Sequence, residues 1–265
     1  MSFAPILPFS GYSGWAFLKR TMPAQTKAFQ ASPTVARNEE YFRAKIVSIK
    51  TGEALVSDRR LLTVALGAYG LEGDIDNRFF IKKVLEEGTL DSGALSNRLA
   101  DKQYRALSSG FGFGDYATPS TQLSDFADKT LSAYRARQFE AAVGEQDDNM
   151  RLALNAEREL KVLSARDVSN DTKWFSIMGS EPLRKVFEGA LGLPSRFSAI
   201  DLDQQLSTFK DKASRAFGSS EISQFSDPKK IDELVRKFLV RSEALASFSA
   251  ISAGAIALTL LQSVR

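Results

Sequence analysis

The fold of this protein is decided by two stretches of sequence, LLTVALGAYGL at residues 61–71 and LRKVFEGALGL at residues 183–193. The two stretches align without a gap, and six of their eleven residues are identical. Apolar residues recur in each at the spacing of an amphipathic helix, and the closing Gly-Leu pair predicts a left-handed cap at Gly70 and at Gly192. We therefore expect each stretch to form an apolar helix that ends at its glycine.

The two stretches also share an internal glycine, Gly67 in the first and Gly189 in the second. Two apolar helices that end in glycine can resemble each other by chance. A glycine in the middle of a helix costs about 1 kcal/mol relative to alanine, so a matched pair of such glycines indicates that both allow close approach of another helix. We interpret the two stretches as matching parts of an internal repeat.

The similarity continues more loosely after each cap. Three apolar residues of the second copy take the positions of three apolar residues of the first, with Leu202, Leu206 and Phe209 standing where Phe80, Val84 and Leu85 stand. The pair Ser226-Asp227 is expected to open a helix as Ser96-Asn97 does in the first copy. Two copies are too few for a solenoid, so we predict a pseudo-symmetric pair.

The predicted fold class is all-α, with two pseudo-repeated helical motifs joined by long helices and preceded by a flexible N-terminal segment. Apolar residues recur at helical intervals through the connecting region, and no stretch alternates as a half-buried strand does. The predicted division of the chain is an extended, poorly ordered segment at 1–38, the first repeat at 39–120, connecting helices at 121–166, the second repeat at 167–243 and an uncharged helix at 244–265.

The composition is that of a folded protein, and it narrows the chemistry open to the chain. Of 265 residues, 43% are hydrophobic and 25% are charged, and the net charge of +3 comes from basic and acidic residues that are interleaved along the sequence. The absence of cysteine and histidine excludes thiol nucleophiles, the usual zinc ligands and imidazole acid–base chemistry. We therefore predict a protein that is not an enzyme and has no catalytic, cofactor-binding or metal site.

Two local patterns resemble binding sites but have simpler explanations. Ser109-Gly-Phe-Gly-Phe113 resembles the aromatic strand motif of RNA-binding domains, yet it lacks the leading basic residue and follows a predicted helix. We expect a glycine-rich loop there and no nucleic-acid partner. The acid pairs Asp74/Asp76 and Asp201/Asp203 lack the ligand spacing of a calcium loop, and their position ahead of helices explains them.

Large side chains cluster in the N-terminal segment, where Trp15, Phe17 and Leu18 precede two basic residues. One interpretation is a short docking anchor that folds on a partner surface. The alternative is a strap that packs its aromatic residues on the protein's own core. The first eight residues hold no basic residue and contain Pro5 and Pro8, so we expect no secretory signal.

The segment 244–264 contains 21 residues without a charged side chain. Within it, Phe248, Ile251, Ala255 and Leu258 follow the 3-4-3 spacing of a coiled-coil seam, and Leu261 adds apolar character near the end. Three interpretations stay open. The helix packs in the protein's own core, it packs against other subunits or a partner, or it inserts into a membrane, which its many small polar residues disfavour.

The chain resembles a domain-of-unknown-function family of alphaproteobacteria whose genes lie in flagellar and motility clusters. The resemblance extends over nearly the whole chain and is carried by the two Gly-Leu caps and by GWAFL at 14–18, DRRLL at 58–62, QFEAAVG at 138–144, WFSIMG at 174–179 and DLDQQ at 201–205. It implies a role in the flagellum, around the basal body or rod, and it supplies no catalytic residues.

The C-terminal end has a resemblance of its own. ALTLLQ at 257–262 is similar to the C-terminal ends of flagellin and other flagellar axial proteins, whose terminal helices pack together in the filament or rod. The N-terminal segment departs from those proteins, because its prolines are expected to interrupt the long partner helix that they possess.

We accordingly expect a non-enzymatic, flagellum-associated structural or assembly protein that acts through helix–helix contacts. The candidate partner-binding residues are Trp15, Phe17, Leu18, Phe248, Ile251, Ala255, Leu258 and Leu261. The first alternative is a cytosolic chaperone or regulator that binds flagellar export substrates in a groove between the two copies. An enzyme that uses carboxylates or lysines is a further alternative.

The expected partners are proteins, flagellar components foremost, with self-association through the C-terminal helix also open. We expect no nucleic acid, no cofactor and no membrane contact. The expected location is the cytoplasm or the flagellum, which the chain would reach by a dedicated flagellar export route because a secretory signal is lacking.

Overall fold

The chain folds into helices joined by short turns. The structure is a computed structural model that describes residues 4–194 and 196–263, with side chains described as far as residue 247. Its α-helices are α1 (Gly11–Gln30), α2 (Pro33–Lys45), α3 (Gly52–Ser57), α4 (Arg59–Tyr69), α5 (Arg78–Glu87), α6 (Leu95–Arg98), α7 (Lys102–Phe111), α8 (Phe126–Gly144), α9 (Asp148–Ser164), α10 (Asn170–Gly179), α11 (Glu181–Leu191), α12 (Leu202–Phe217) and α13 (Pro228–Ser263). No β-strand occurs among the described residues, and the predicted all-α class is confirmed.

The helices form two units of similar size. The first unit contains Thr21–Ala142 and the chain up to Ile6, and the second contains Leu7–Arg20 and the chain from Val143 onward. The division differs from the predicted one, because the connecting helices over 121–166 are not a separate element. Nearly all of α8 belongs to the first unit, whereas α9 belongs to the second.

The prediction of an extended, poorly ordered segment at 1–38 is wrong for the residues from Gly11 onward. These residues form α1 and the beginning of α2. The prolines that suggested an open chain have other roles. Pro33 is the first residue of α2, where a missing N–H leaves no hydrogen bond unmade, and Pro23 is accommodated within α1.

Both predicted glycine caps are confirmed. Gly70 ends α4 with a φ of 75°, and Gly192 ends α11 with a φ of 63°, a left-handed conformation that glycine adopts without steric cost. The N–H of Leu71 donates to the carbonyl of Leu66 and that of Leu193 donates to Glu188, each at 2.9 Å. The same closing hydrogen bond therefore occurs in both copies.

The internal glycines also have matching environments, which supports the repeat. A Cβ added to Gly67 would lie 2.8 Å from the ring of Tyr134 in α8, and a Cβ added to Gly189 would lie 2.7 Å from the ring of Phe238 in α13. In each copy, an aromatic ring thus occupies the space that a side chain would need.

These contacts correct one detail of the predicted repeat. Arg137 lies three residues after Tyr134 and beside Gly70, as Arg241 lies three residues after Phe238 and beside Gly192. The helix that follows Ser226-Asp227 is therefore the counterpart of α8, and not of the helix expected after Ser96-Asn97. Loose apolar matching could not detect this, because α6 and α7 lie ahead of α8 only in the first copy.

Each copy of the repeat then consists of five corresponding helices. The first uses α2, α3, α4, α5 and α8, and the second uses α9, α10, α11, α12 and α13. Two corresponding pairs pack in the same way, since α2 contacts α4 as α9 contacts α11, and α3 contacts α4 as α10 contacts α11.

The second unit has an aromatic core. Trp174 of α10 packs edge-to-face on Phe187 and stacks on Phe209, with ring centroids 5.5 and 5.6 Å apart. Phe187 in turn meets Phe225 edge-to-face at 5.5 Å. The indole N–H of Trp174 donates to the carbonyl of Ser220 at 2.9 Å, so its polar atom is satisfied within this core.

Gly67→Ala should lower the free energy of unfolding by about 1–2 kcal/mol. The added methyl overlaps the buried ring of Tyr134, and the better helix propensity of alanine offsets only about 1 kcal/mol of that cost. Gly179→Ala is the matched control, because an added Cβ there meets no atom within 4 Å. It should stabilise by about 0.4–1 kcal/mol. Urea denaturation measures both changes, and equal shifts would contradict a decisive role for the ring contact.

Candidate functional site

The first group of predicted partner-binding residues lies in the part of α1 that belongs to the second unit. Trp15 is 2% exposed and Leu18 is 0% exposed. Side chains buried to this degree have no surface to offer a partner, so the docking-anchor interpretation is wrong for these two residues. The alternative, a strap packed on the protein's own core, describes them.

Phe17 is half-buried beside these residues. Its ring meets that of Phe9 edge-to-face with centroids 6.4 Å apart, and the guanidinium of Arg20 lies 5.6 Å from its centroid. Phe9 is 59% exposed. This edge of the strap is therefore the part of the predicted anchor that reaches the surface.

Residues 7–20, which we call the strap, are held against α9 and α13 by specific contacts. Gly14 approaches so closely that an added Cβ would lie 2.3 Å from the Cε of Met150 in α9. The hydroxyl of Tyr12 donates to Asp232 of α13 at 3.2 Å. Residues 7–20 thus belong to the second unit by packing as well as by polar contact.

An ion pair fixes the next turn of the strap on α9. The ammonium group of Lys19 donates to both carboxylate oxygens of Glu157 at 2.7 Å, and Lys161 approaches the same carboxylate at 3.0 Å. Burial raises the pKa of Glu157, but the hydrogen bonds from Lys19 and Lys161 outweigh it and lower the pKa below its ordinary value of 4.5. The carboxylate is charged and paired at neutral pH.

The second group of predicted residues lies on α13. In its first half, α13 buries five apolar side chains in the second unit: Ile231, Leu234, Val235, Phe238 and Leu239. No side chain of α13 from residue 240 to residue 247 is buried, and Leu245 is 66% exposed, so the helix leaves the core beyond Leu239. The helical conformation itself continues to Ser263.

The remaining predicted residues, Phe248, Ile251, Ala255, Leu258 and Leu261, lie outside the residues whose side chains the structure describes. Their part in an interaction surface stays a prediction. In the portion of the chain with described side chains, no helix has the length and hydropathy that a membrane crossing requires.

The acidic pairs have local partners. Asp201 caps α12 by accepting hydrogen bonds from Asp203 N and Gln204 N, as expected of an acid that opens a helix. Asp74 instead accepts from the hydroxyl of Tyr104 at 2.5 Å, and Asp76 pairs with Arg59. Within the described residues, no group of three or more acidic side chains is placed to hold a metal ion.

Two tyrosines have strongly shifted pKa values. Burial raises the pKa of Tyr69 to about 12, against a smaller opposing effect of Arg137. Burial, followed by the hydrogen bond to Asp74, raises the pKa of Tyr104 to about 12. The shift of Tyr69 thus reflects burial of its side chain, whereas that of Tyr104 also reflects a hydrogen bond to a carboxylate.

Sequence reasoning missed one surface, on α5. An open concavity of about 350 Å³ is lined by Phe79, Lys82, Lys83, Glu86 and Glu87. Phe79 is 81% exposed and Leu90, just past the helix, is 71% exposed. The order of these residues, an aromatic followed by two bases, two acids and a leucine, was the signal in the sequence that could have identified the surface.

Glu157→Gln should lower the free energy of unfolding by about 1–2 kcal/mol at pH 7, because it removes the charge that pairs with Lys19. The folded-state pKa is lowered, so this stability is present above the ordinary value of 4.5 and is lost as the pH falls through the folded value. The difference between the variant and the native chain should therefore disappear in acid.

Glu181→Gln is the control for this effect, because its partner Lys185 also lowers its pKa while its side chain is 78% exposed. We expect almost no change in stability there. Chemical denaturation over a series of pH values measures both variants. A Glu157→Gln effect that persists unchanged in acid would show that lost packing, and not lost charge, causes it.

Comparison with known proteins extends these observations. A family model described as "Protein of unknown function (DUF1217)" matches residues 68–231. The fold is similar to the crystal structure of a protein from Agrobacterium tumefaciens, determined by a structural genomics consortium, with a TM-score of 0.72. The two sequences are 25% identical, and the match covers 91% of this chain and 98% of that chain. Among curated proteins, none matches the chain.

The matched region runs from the end of α4, through the caps and the aromatic core of the second unit, into the first turn of α13. The relative comes from an alphaproteobacterium, the group in which the resemblance of the sequence had placed the family. Because the family model covers more than half of the residues, the chain belongs to the DUF1217 family of proteins of unknown function.

Proposed function

We propose that this protein is a non-enzymatic structural or assembly protein of the bacterial flagellum, near the basal body or rod, which binds its partners through the charge-free end of α13. The observation that carries the proposal is the length of this helix. It continues to Ser263, well past the point at which the second copy of the repeat is complete.

The first copy shows where a repeat ends. Tyr134 and Arg137 of α8 correspond to Phe238 and Arg241 of α13, so Gly144, the last residue of α8, corresponds to residue 248. After Gly144 the chain turns into α9, whereas α13 continues for about 15 further residues, or roughly 22 Å of helix. The extension has no counterpart in the first copy, so the repeat does not need it to fold.

Exposure and composition change together along α13. The helix leaves the core of the second unit after Leu239, and Leu245 is 66% exposed. From Ala244 to Ser263 the helix then carries no charged residue. A helix of this composition would leave a contiguous apolar surface in water if nothing covered it, which favours a protein partner.

Support for the flagellar part of the proposal comes from sequence likeness. The segments that resemble an alphaproteobacterial family of motility gene clusters lie throughout the chain, and residues 257–262 are similar to the ends of axial proteins. Terminal helices of axial proteins pack side by side between subunits. An uncharged helix with 3-4-3 apolar spacing suits such a contact.

Deletion of Ala244–Arg265 should leave both units folded and remove the protein from the basal-body fraction. Folding is expected to persist because the truncated chain keeps every side chain that α13 is seen to bury in the second unit, the last of which is Leu239. Circular dichroism and urea denaturation report folding. Immunoblots of purified basal bodies, cytoplasm, membranes and culture medium from a motile host report location.

Two point variants separate the apolar seam from the rest of the helix. Ile251→Asp places a charge on the seam and should abolish basal-body association. Ala253→Asp lies about 200° away around the helix and should preserve it. Both variants keep the full length and the same net charge, so a difference between them reports the contact face.

The alternative interpretations of residues 244–265 predict different results. A truncated chain that unfolds would assign the segment to the protein's own core and overturn the proposal. Recovery of the intact chain in membranes, without basal bodies, would show insertion into the bilayer. A monomeric cytoplasmic chain that captures unfolded flagellar subunits in a pull-down would favour a chaperone or regulator instead.

A further inference from the structure

We propose that the outer surface of α5 is self-complementary and pairs two copies of this chain about a twofold axis. This surface, which we call the α5 face, consists of Phe79, Lys82, Lys83, Glu86 and Glu87, and Leu90 lies in the turn that follows the helix. It is distinct from the end of α13, and the inference does not depend on the proposed flagellar function.

Exposed apolar residues lie at the two ends of the α5 face. Phe79 at 81% and Leu90 at 71% are the most exposed of the large hydrophobic residues whose side chains are described. The opposite side of α5 buries Ile81, Val84 and Leu85 in the first unit, so the helix already has its core contacts. Phe79 and Leu90 are therefore exposed hydrophobic residues beyond those that pack in the core of the first unit.

The charges between these two ends are ordered along the helix. Two lysines at 82 and 83 are followed one turn later by two glutamates at 86 and 87. Positions three and four residues apart share one side of a helix, so the four charged groups and Phe79 form one continuous stripe. The stripe borders an open concavity of about 350 Å³.

This order fits a second copy of the same helix lying antiparallel. A twofold axis between residues 84 and 85 sets Lys83 opposite Glu86 of the other copy and Lys82 opposite Glu87. Each lysine then faces a glutamate, which is the isologous arrangement of charges that a closed dimer requires.

Lys83 and Glu86, the pair nearest the twofold axis, are the best residues to substitute in a test of this dimer. Lys82 already pairs with Glu53, and Glu87 accepts a hydrogen bond from Leu95 N at 2.6 Å. Lys83 is 53% exposed, and its distance of 3.6 Å from Glu87 describes a weak surface pair. Glu86 is exposed and accepts one hydrogen bond, from Glu53 N at 3.2 Å.

Charge exchange at this inner pair tests the inference. Sedimentation equilibrium of the full chain should detect a dimer, and Lys83→Glu or Glu86→Lys should each raise its dissociation constant about tenfold or more, because like charges then meet twice across the axis. An equimolar mixture of the two variants should restore dimers. One chain then presents two carboxylates at the inner positions, and the other presents two ammonium groups.

Matched controls exclude general effects of charge and of hydrophobicity. Lys185→Glu makes the same charge change at a lysine that is 54% exposed and also pairs with a glutamate four residues away, and it should leave the dimer unchanged. Phe79→Ser should weaken the dimer, whereas Leu123→Ser, at a leucine that is 56% exposed on another part of the first unit, should not.

Three results would overturn the inference. The native chain could stay monomeric up to about 1 mM, where even weak specific complexes form. The dimer could be insensitive to both charge exchanges, as it would be if the end of α13 held it together. The mixture of variants could fail to restore the dimer. In each case the proposal for the end of α13 would keep its own separate test.

Discussion

An aromatic ring packed against a glycine in the middle of an apolar helix organises each unit of this protein. Tyr134 occupies the space beside Gly67, and Phe238 occupies the space beside Gly189. Because glycine has no Cβ, the helices approach until ring and backbone touch, and the ring is buried. The glycine cap at the end of the apolar helix and the arginine beside it then follow at matching positions.

This constraint explains why part of the fold could be predicted from one sequence. A left-handed cap and a close helix approach both require glycine, so Gly70, Gly192 and the internal pair carry a signal in their identity. Their aromatic partners carry no such signal. Any large residue can pack against a glycine, so the identity of the partner is not predictable. The two additional helices ahead of α8 also make the sequence separation from Gly67 to Tyr134 longer than that from Gly189 to Phe238.

The incorrect expectations have a common physical source, because they inferred the folded structure of a segment from its local conformational preference alone. The prolines predicted an extended N-terminal segment. The burial of Trp15 and Leu18 and the ion pair between Lys19 and Glu157 stabilise a helix there instead. The sequence of the segment does not reveal such tertiary contacts, because the contact partners lie far away along the chain. The exposure of Phe79 was missed for the same reason, because hydrophobicity alone gives no indication of which apolar residues the fold leaves in water.

The assignment of residues 7–20 to the second unit also bears on how the chain folds as it is made. Lys19 meets Glu157, and Gly11 lies beside Glu243, so these contacts join the beginning of the chain to regions that the ribosome produces much later. Sequence-distant contacts are slow to form, because the intervening chain loses entropy before they contribute. The first unit can assemble during synthesis, whereas the strap must stay without its partner helices until α9 and α13 have emerged. Its buried tryptophan and leucine are exposed to chaperones and to aggregation throughout that interval.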